Sequence, residues 1–277
     1  MSQPDSNYTP PPGHLGNLCS EQEAALGKLK EELQKDGILV EARHDDATLL
    51  RFLRARKFDV EQSKEMFKAA EKWRKEFNVD ELVKTFDFTE VAEVDKYLPQ
   101  YYHNMDKSGR PIYIQRLGNL NVKAMYECTT QERLLQHLVV EYEAFLNSRL
   151  PACSSAVGHP VETSFSILDL GGVSLSSFIR VKDYVSEATK IGQNYYPECM
   201  GKFYVINAPM GFSTVWNVVK GWLDEVTVDK VHILGGAKEY KAELLEQIDE
   251  GNLTEELGGT CKCAQGCSLS DVGPWNA

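Results

Sequence analysis

The sequence predicts an α/β protein in which a mostly parallel sheet is preceded by a helical subdomain. Two observations lead to this prediction. Apolar residues recur at helical spacing over residues 21–77, and after residue 160 short apolar runs alternate with amphipathic segments. Alternation of strand and helix is typical of a parallel sheet, which has to be covered by helices. A chain of 277 residues can bury one sizeable core and a small helical subdomain.

The N-terminal part of the chain is predicted to be an arm followed by helices. Residues 1–18 are rich in proline and glycine, and we expect them to be disordered. Residues 19–98 form the predicted helical subdomain, in which Gln62 is placed to complete a capping box with Asp59. Its helices are predicted at Glu21–Lys35, at Asp45–Lys57 and from Asp59 onward.

The second predicted domain, residues 99–259, begins with a hairpin whose strands Tyr101–Met105 and Pro111–Leu117 flank a Gly-containing turn. A long helix is predicted to begin at Thr129, where Glu132 would complete a capping box. The later elements are strand Glu162–Leu170, helix Ser177–Gly192, strand Lys202–Ala208, helix Gly211–Leu223, strand Lys230–Leu234 and helix Lys238–Ile248. Residues 260–277 are small and turn-rich, so we expect an extended C-terminal strap.

Charge and composition restrict the partners and the compartment. The net charge is −11, which disfavours nucleic acid and means that membrane contact needs a local basic or apolar patch. No apolar run approaches the roughly 18 residues of a membrane span, and the N-terminus lacks the pattern of a secretory signal. Seven scattered cysteines are typical of free thiols in a reducing compartment. We therefore expect a cytoplasmic protein.

The chain has no recognisable catalytic constellation. Its nearest approach to a nucleophile elbow, Gly172–Ser176, lacks the second glycine, and the six histidines have no paired-ligand spacing. Cys261, Cys263 and Cys267 are spaced like metal ligands but lack a fourth nearby ligand, so structural zinc is the less favoured interpretation. We expect neither an enzyme nor a metal or cofactor site.

The strand at 162–169 carries an unusual polar face. Alternation places Ser164, Ser166 and Leu168 on one face and Phe165 and Ile167 on the other. A central parallel strand is normally apolar on both faces, so the two hydroxyls need polar partners. These partners are either backbone and water or the headgroup of a ligand, and the residues alone favour the first.

The segment Phe212–Leu223 is apolar around much more than one helical stripe and contains Trp216 and Trp222. Such a helix is either fully buried or has a face that meets an apolar partner such as a bilayer. The residues alone favour burial.

A basic cluster ends the second predicted helix, where Arg51, Arg54, Arg56 and Lys57 lie close together. Such clusters are usually a solvated face, and they suit the carbonyl end of a helix. Phosphate binding stays open at this point.

Eight motifs in chain order resemble the CRAL-TRIO family, and more narrowly its fungal-type phosphatidylinositol/phosphatidylcholine transfer proteins of the secretory pathway. The resemblance runs from about residue 15 to the end of the chain. The motifs are Leu49–Phe58, Tyr101–His103, Asp106–Pro111, Arg149–Cys153, Glu162–Ser164, Gln193–Glu198, Met200–Tyr204 and Asn207–Pro209.

The resemblance implies a sheet that floors a deep lipid pocket and a mobile helix that gates it. It implies non-catalytic exchange of phosphatidylinositol and phosphatidylcholine, which supports phosphoinositide synthesis and vesicle traffic at Golgi and endosomal membranes. We therefore expect a monomer that visits membrane surfaces transiently, with phospholipid as ligand and a phosphoinositide kinase as a candidate partner. The alternative is a sensor or scaffold of the same fold that binds a sterol, tocopherol or retinoid.

The resemblance also assigns residues one by one. The phosphatidylinositol headgroup is expected at Arg56, Lys57, Glu198, Thr227 and Lys230, with Glu198 paired to Lys230 and helix-start amides near Thr227 facing the phosphate. The phosphatidylcholine headgroup is expected at Tyr102, Tyr113, Tyr142, Ser164 and Ser166. The gate is expected to comprise Phe212, Val215, Trp216, Val219, Trp222 and Leu223. Cys199, Gly192 and Asp229 depart from the family pattern, where Arg, Ser and Ser are usual.

Overall fold

The computed structural model describes residues 8–118, 120–173 and 175–276, without the side chains of residues 175–178. The chain divides into two compact units. The helical unit contains residues 8–85 together with Lys190–Cys199, and the sheet unit contains residues 86–189 and 200–276. Residues 1–7 of the expected arm lie outside the described residues.

The helical unit begins each of its second and third helices at an aspartate cap. The Asp45 carboxylate accepts a hydrogen bond from the Thr48 amide at 2.8 Å, and Asp59 accepts one from the Gln62 amide at 3.0 Å. The Gln62 side chain donates to the Asp59 carboxylate at 2.9 Å instead of accepting from the Asp59 amide, so the Asp59 cap forms without the reciprocal backbone bond of the predicted capping box. The helices are α1 Ser20–Lys35, α2 Asp46–Ala55, α3 Val60–Glu76 and α4 Val79–Thr85.

A leucine-rich core holds α1, α2 and α3 together. The end of helix α9 (Leu175–Tyr195) also belongs to this unit, where Tyr195 stacks on Trp73 with ring centroids 4.2 Å apart. The fully buried core side chains are Leu29, Leu33, Leu49, Leu50, Leu53 and Phe67.

Residues 8–18 adopt a defined turn, whereas the sequence predicts disorder for this part of the arm. The Gly13 amide donates to the Asn17 carbonyl at 3.0 Å, and the Asn17 side chain donates to the Pro10 carbonyl at 2.7 Å. Gly13 is buried with φ +78°, and a Cβ at this position would lie 3.3 Å from the Phe58 ring. A glycine is required here because it combines positive φ with close contact to an aromatic side chain.

Within the described residues of the sheet unit, five strands form one sheet in the order β1-β2-β3-β4-β5. The pair β1–β2 is the predicted antiparallel hairpin and the other pairs are parallel, so the prediction of a mostly parallel α/β fold is confirmed. The strands are β1 Gln100–Met105, β2 Pro111–Arg116, β3 Ser164–Asp169, β4 Met200–Ile206 and β5 Val231–Ile233.

The helices of the sheet unit agree with the predicted alternation within a few residues at each end. One boundary differs, because Thr130 rather than Thr129 caps α7 by accepting from the Arg133 amide, while the Thr129 hydroxyl donates to Glu90 at 3.0 Å. The further helices are α5 Val91–Asp95, α6 Val122–Cys128, α7 Gln131–Ala144, α8 Leu150–Val157, α10 Phe212–Val219, α11 Glu225–Asp229 and α12 Ala237–Gln247. Short 3-10 turns lie at Lys220–Trp222, Glu255–Leu257, Cys267–Leu269 and Pro274–Asn276.

A π-helical turn, Phe145–Arg149, joins α7 to α8. Pro151 follows it and has no amide proton, so an α-helical hydrogen bond cannot continue at that residue. The Leu150 amide bonds to the Phe145 carbonyl, which is the longer repeat of a π-helix. The turn changes the helical phase, and Arg149 at its end becomes buried.

One face of the sheet is closed by α12 and the turns that follow it. The side chains of this closed face are almost completely inaccessible, and they pack against Tyr240, Leu244 and Ile248 of the α12 segment. The closed face comprises Tyr101, Ile112, Ile114, Phe165, Ile167, Tyr204 and Ile206.

Candidate functional site

The opposite face of the sheet carries a row of side chains aligned across all five strands. The pairing register sets Tyr102 beside Tyr113, Tyr113 beside Ser166, Ser166 beside Phe203 and Phe203 beside Val231. Residues in register on neighbouring strands point to the same face. We call this side of the sheet the open face. We call its hydroxyl-bearing residues Tyr102, Tyr113, Ser164 and Ser166 the hydroxyl row.

The open face retains accessible surface in the middle of the sheet. Tyr113, Leu168 and Phe203 are half-buried, whereas Ile114 and Phe165 on the closed face are each 0% exposed. A parallel sheet is normally buried on both faces. Incomplete covering of central strands therefore indicates room for another molecule against the open face.

Two serine hydroxyls lie at the start of β3 on the open face. Ser164 Oγ and Ser166 Oγ are 3.3 Å apart, and both side chains are buried. This is the face that strand alternation predicts for them. Because a hydroxyl has one proton and two lone pairs, their mutual hydrogen bond uses the proton of one serine, and the accepting serine keeps its proton for another partner.

Tyr113 of the hydroxyl row and the neighbouring Tyr184 keep their hydroxyl protons at neutral pH. The Tyr102 and Tyr113 ring centroids are 4.8 Å apart, and the Tyr113 hydroxyl donates to Gln100 Oε1 at 3.1 Å. Burial raises the pKa of Tyr113 well above its ordinary value, and Tyr142 on α7 lies near enough to raise it further. Burial also raises the pKa of Tyr184 on α9 to about 12. These phenols can therefore give hydrogen bonds to an anionic oxygen at neutral pH.

Arg149 is a charged neighbour of the hydroxyl row to which the sequence analysis assigned no role. Its guanidinium lies 4.3 Å from the centre of the Tyr102 ring and pairs with Glu141 at 3.1 Å and with Asp271 at 3.5 Å. Its Nε and Nη1 are buried and have no hydrogen-bond partner within the described part of the chain. The motif Arg149–Cys153 was recognisable in the sequence, but only the π-helical turn brings this side chain to Tyr102.

In the helical unit, three of the residues assigned to phosphatidylinositol have unusual backbone positions. Arg56 is the C-cap of α2, and Lys57 and Glu198 have φ of +51° and +56°. The buried Arg51 side chain donates to the Glu198 carbonyl at 2.7 Å, which fixes Glu198 relative to α2. Positive φ in a non-glycine residue costs on the order of 1 kcal/mol and is found more often at functional sites than elsewhere.

The other two assigned residues, Thr227 and Lys230, belong to the sheet unit and lie in and just after the five-residue helix α11. The Asp224 carboxylate accepts both the Thr227 amide at 2.9 Å and the Thr227 hydroxyl at 2.7 Å. The helix-start amide expected to face a phosphate is therefore bonded to Asp224. Burial by itself would raise the pKa of Asp224, but these two hydrogen bonds lower it below its usual value.

The predicted gate is helix α10 and the 3-10 turn that follows it. Val215 is buried, and the other five assigned gate residues are half-buried. Phe212, Val215, Trp216 and Val219 lie at i, i+3, i+4 and i+7 spacing, which defines one inward stripe of the helix. The outer side is also partly apolar, because Met210 is 100% exposed and Val218 is 48% exposed. The half-buried residues are Phe212, Trp216, Val219, Trp222 and Leu223. Among the described residues, no helix has the length and apolar character needed to cross a bilayer.

The C-terminal cysteines have a fourth neighbour that the sequence analysis could not identify. The fold brings His103 of β1 to Cys261, Cys263 and Cys267, and the four potential ligand atoms lie within 4.8 Å of one another. The sequence has no fourth ligand close to these cysteines in the chain, and the fold supplies a potential one from a distant strand. His103 is 158 residues away from Cys261 along the chain.

Comparison with known proteins agrees with this fold. The CRAL/TRIO domain model matches residues 95–259 and the CRAL/TRIO N-terminal domain model matches residues 19–69. A solved structure, Sfh5, has a TM-score of 0.62 at 17% identity and covers 78% of this chain and 81% of its own, which supports the fold alone.

Curated relatives are similar over almost the whole chain. The Sec14 cytosolic factor of Schizosaccharomyces pombe is 54% identical over 273 residues, which cover 99% of this chain and 94% of the relative. The SEC14 cytosolic factor of Kluyveromyces lactis is 55% identical, with 95% and 87% covered. The phosphatidylinositol/phosphatidylcholine transfer protein SFH12 of Arabidopsis thaliana is 42% identical over 92% of this chain, which spans about half (47%) of that relative. The resemblance read from the eight motifs is confirmed, and the chain belongs to the CRAL/TRIO domain family.

Proposed function

We propose that this chain is a non-catalytic phospholipid transfer protein that exchanges phosphatidylinositol and phosphatidylcholine between membranes. The printed name of the Arabidopsis thaliana relative SFH12, a phosphatidylinositol/phosphatidylcholine transfer protein, supports phospholipid transfer as the activity. The observation that carries the proposal is the open face of the sheet, where accessible aromatic and aliphatic side chains lie beside a row of hydroxyls. Such a surface suits a molecule with hydrocarbon chains and a polar headgroup.

The acyl chains contact the half-buried Leu168 and Phe203 of the open face, beneath which Val205 is buried. Removal of a methylene from water contributes about 0.8 kcal/mol, so two acyl chains leave a protein or a bilayer very slowly without assistance. Tyr113 is half-buried, so part of its surface is accessible. The surrounding protein groups nevertheless raise its pKa. A residue in the wall of an enclosed cavity is expected to have both properties.

The hydroxyl row binds the phosphatidylcholine headgroup in this proposal. One of the two serines, Ser164 or Ser166, has a proton free of their mutual bond and donates it to a phosphate oxygen, and Tyr113 donates once its bond to Gln100 is broken. The Tyr102 and Tyr142 rings accept the quaternary ammonium, which is attracted to aromatic faces. Arg149 adds a buried positive charge beside Tyr102, which favours the phosphodiester electrostatically.

We assign phosphatidylinositol contacts to Arg56, Lys57 and Glu198 of the helical unit and, separately, to Thr227 and Lys230 of the sheet unit. Arginine and lysine form charge-assisted hydrogen bonds with phosphate, the strongest class of hydrogen bond available to a protein. The Thr227 hydroxyl has one proton, which it gives to Asp224, so donation to a phosphate requires that this bond is broken first.

The membrane step uses the gate. When α10 swings away, its inward stripe of Phe212, Trp216 and Val219 meets the bilayer, and the exposed Met210 and Val218 extend the apolar contact. A net charge of −11 opposes lasting adhesion to anionic membranes, so visits are brief. We place this activity at the cytoplasmic surface of Golgi and endosomal membranes, in support of a phosphoinositide kinase.

The test is transfer of labelled lipid between donor and acceptor vesicles. Purified protein is expected to transfer phosphatidylinositol and phosphatidylcholine in proportion to its concentration and to leave both lipids chemically unchanged. Headgroup release or acyl hydrolysis would contradict a non-catalytic role. Retention of a sterol, tocopherol or retinoid with no phospholipid transfer would favour a sensor or scaffold.

A further inference from the structure

We infer that His103, Cys261, Cys263 and Cys267 bind one Zn²⁺ ion in a structural site, independently of the lipid chemistry proposed above. His103 Nε2 lies 3.3 Å from Cys261 Sγ, and the Cys261 and Cys263 sulfurs lie 3.9 Å apart. With zinc–sulfur bonds of about 2.3 Å and zinc–nitrogen bonds of about 2.0 Å, a tetrahedral site separates two sulfurs by about 3.8 Å and sulfur from nitrogen by about 3.5 Å. These two separations are close to those of a zinc tetrahedron, and all four ligand atoms lie within 4.8 Å of one another.

The surroundings of His103 are difficult to explain without an ion. The side chain is completely buried, and its Nδ1 has no hydrogen-bond partner among the residues that the structure describes. Its Nε2 faces a cysteine sulfur, which is a weak hydrogen-bond partner. Buried polar groups in folded proteins are almost always well satisfied. A metal ion between Nε2 and the sulfurs gives Nε2 a strong partner in place of a weak one, while Nδ1 keeps no partner among the described residues.

Local backbone structure holds the ligands in place. The Cys261 amide bonds to the Leu253 carbonyl at 3.0 Å, and its carbonyl accepts from the Glu255 amide at 3.2 Å. The Cys263 carbonyl accepts from the Gly266 amide at 3.0 Å, and Gly266 has φ +88°, so the chain turns back at once to Cys267. This backbone turn at Gly266 brings Cys267 back toward Cys263.

The donor set selects the metal. Three thiolates and one imidazole are soft and borderline ligands, which favour Zn²⁺ over the oxygen-seeking Mg²⁺ and Ca²⁺. Four protein ligands complete a tetrahedron and leave no open position, which is the arrangement of structural rather than catalytic zinc.

The ion would fasten the C-terminal strap, residues 260–276, to strand β1. The same strap carries Trp275, whose ring lies edge-on to Tyr102 at 6.2 Å, and Asp271, which pairs with Arg149. The amide of Asn104, next to His103, also bonds to the Val272 carbonyl at 2.6 Å. Zinc at this position therefore stabilises the strap residues that pack on one end of the hydroxyl row.

The direct test is the metal content of the full chain, purified under reducing conditions without chelator. We expect about one zinc ion per chain by elemental mass spectrometry. Protein stripped of metal and titrated with Co²⁺ alone should develop thiolate-to-cobalt charge-transfer absorption together with the visible bands of tetrahedral cobalt, and should reach its end point at about one equivalent. Zn²⁺ should then abolish these bands and protect the three thiols from alkylation.

Two ligand variants and one control variant are compared with the wild type. Cys263→Ser and His103→Ala should lose bound zinc and the tetrahedral cobalt spectrum. Cys19→Ser, which removes an exposed thiol outside the cluster, should keep both. If the ligand variants do not fold, the cobalt titration of the wild-type protein decides alone. Protein with no stoichiometric metal and no cobalt–thiolate absorption would overturn the inference, as would iron or copper found in place of zinc.

Discussion

Ser166→Ala tests the hydroxyl row most specifically, because it removes one oxygen atom and no bulk. The Ser166 hydroxyl is buried and lies 3.3 Å from Ser164 Oγ, in register with Tyr113. A hydrogen bond to a charged phosphate contributes about 1.5–3 kcal/mol. Because each 1.4 kcal/mol changes a binding constant about tenfold, loss of this bond should weaken phosphatidylcholine binding by about 10- to 150-fold.

The assay is transfer of each lipid by the same preparation of Ser166→Ala protein. Phosphatidylcholine transfer should fall, while phosphatidylinositol transfer and the melting temperature stay close to wild type. Ser63→Ala is the matched control, since the Ser63 side chain is 0% exposed and its hydroxyl donates to the Asp59 carbonyl at 2.6 Å within the helical unit. Equal loss of both transfers in folded Ser166→Ala protein, or undiminished phosphatidylcholine binding, would refute the assignment of separate headgroup sites.

Three further predictions concern the second headgroup site, the gate and the response to pH. Arg56→Ala combined with Thr227→Asp should abolish phosphatidylinositol transfer and preserve phosphatidylcholine transfer, measured in the same vesicle assay. Met210→Asp should slow transfer of both lipids by about tenfold and leave the melting temperature unchanged. The substitution places a charge on an exposed apolar side chain whose contact with the membrane contributes about 1–2 kcal/mol to binding. The Arg133 guanidinium lowers the pKa of Glu90 from 4.5 to about 2. Because the pKa of Glu90 is depressed in the folded state, the ion pair with Arg133 stabilises the fold fully above about pH 4.5, and this contribution is lost as the pH falls toward 2. The difference in free energy of unfolding between wild type and Glu90→Gln, measured by chemical denaturation, should therefore shrink across that range.

The gate prediction and the pH prediction each have a control within the chain. Leu15→Asp changes an exposed leucine in the helical unit and should leave the transfer rate unchanged. Glu93→Gln removes a carboxylate from an exposed pair with Lys96 and should change stability little at any pH. A Met210→Asp protein with a normal transfer rate would exclude Met210 from membrane contact, and a pH-independent difference for Glu90→Gln would contradict its ion pair with Arg133.

Local sequence patterns predicted the elements and the faces of the strands. The Asp59–Gln62 cap and the hairpin at β1–β2 depend on residues close together in the chain, so spacing alone identifies them. The opposite orientations of Ser166 and Ile167 follow from strand alternation and agree with the structure.

Features that depend on distant residues were not predictable from the sequence. Arg149 reaches Tyr102 only because a π-helical turn changes the phase of its helix. His103 contacts Cys261 through packing of the strap on β1, although the two residues are 158 positions apart in the chain.

The capped amide of Thr227 is a local feature that the sequence could have predicted. The amide was expected to face a phosphate, but the Asp224 carboxylate, three residues earlier in the chain, accepts its hydrogen bond.

The central claim is that the open face of the sheet holds one phospholipid by its acyl chains and its phosphodiester headgroup. Mass spectrometry of the protein under native conditions, followed by extraction of the bound molecule, tests this claim directly. We predict a population carrying about one phospholipid per chain, with inositol or choline as the headgroup. Protein that remains lipid-free after incubation with vesicles of both lipids, or that retains only a sterol, tocopherol or retinoid, would contradict the account.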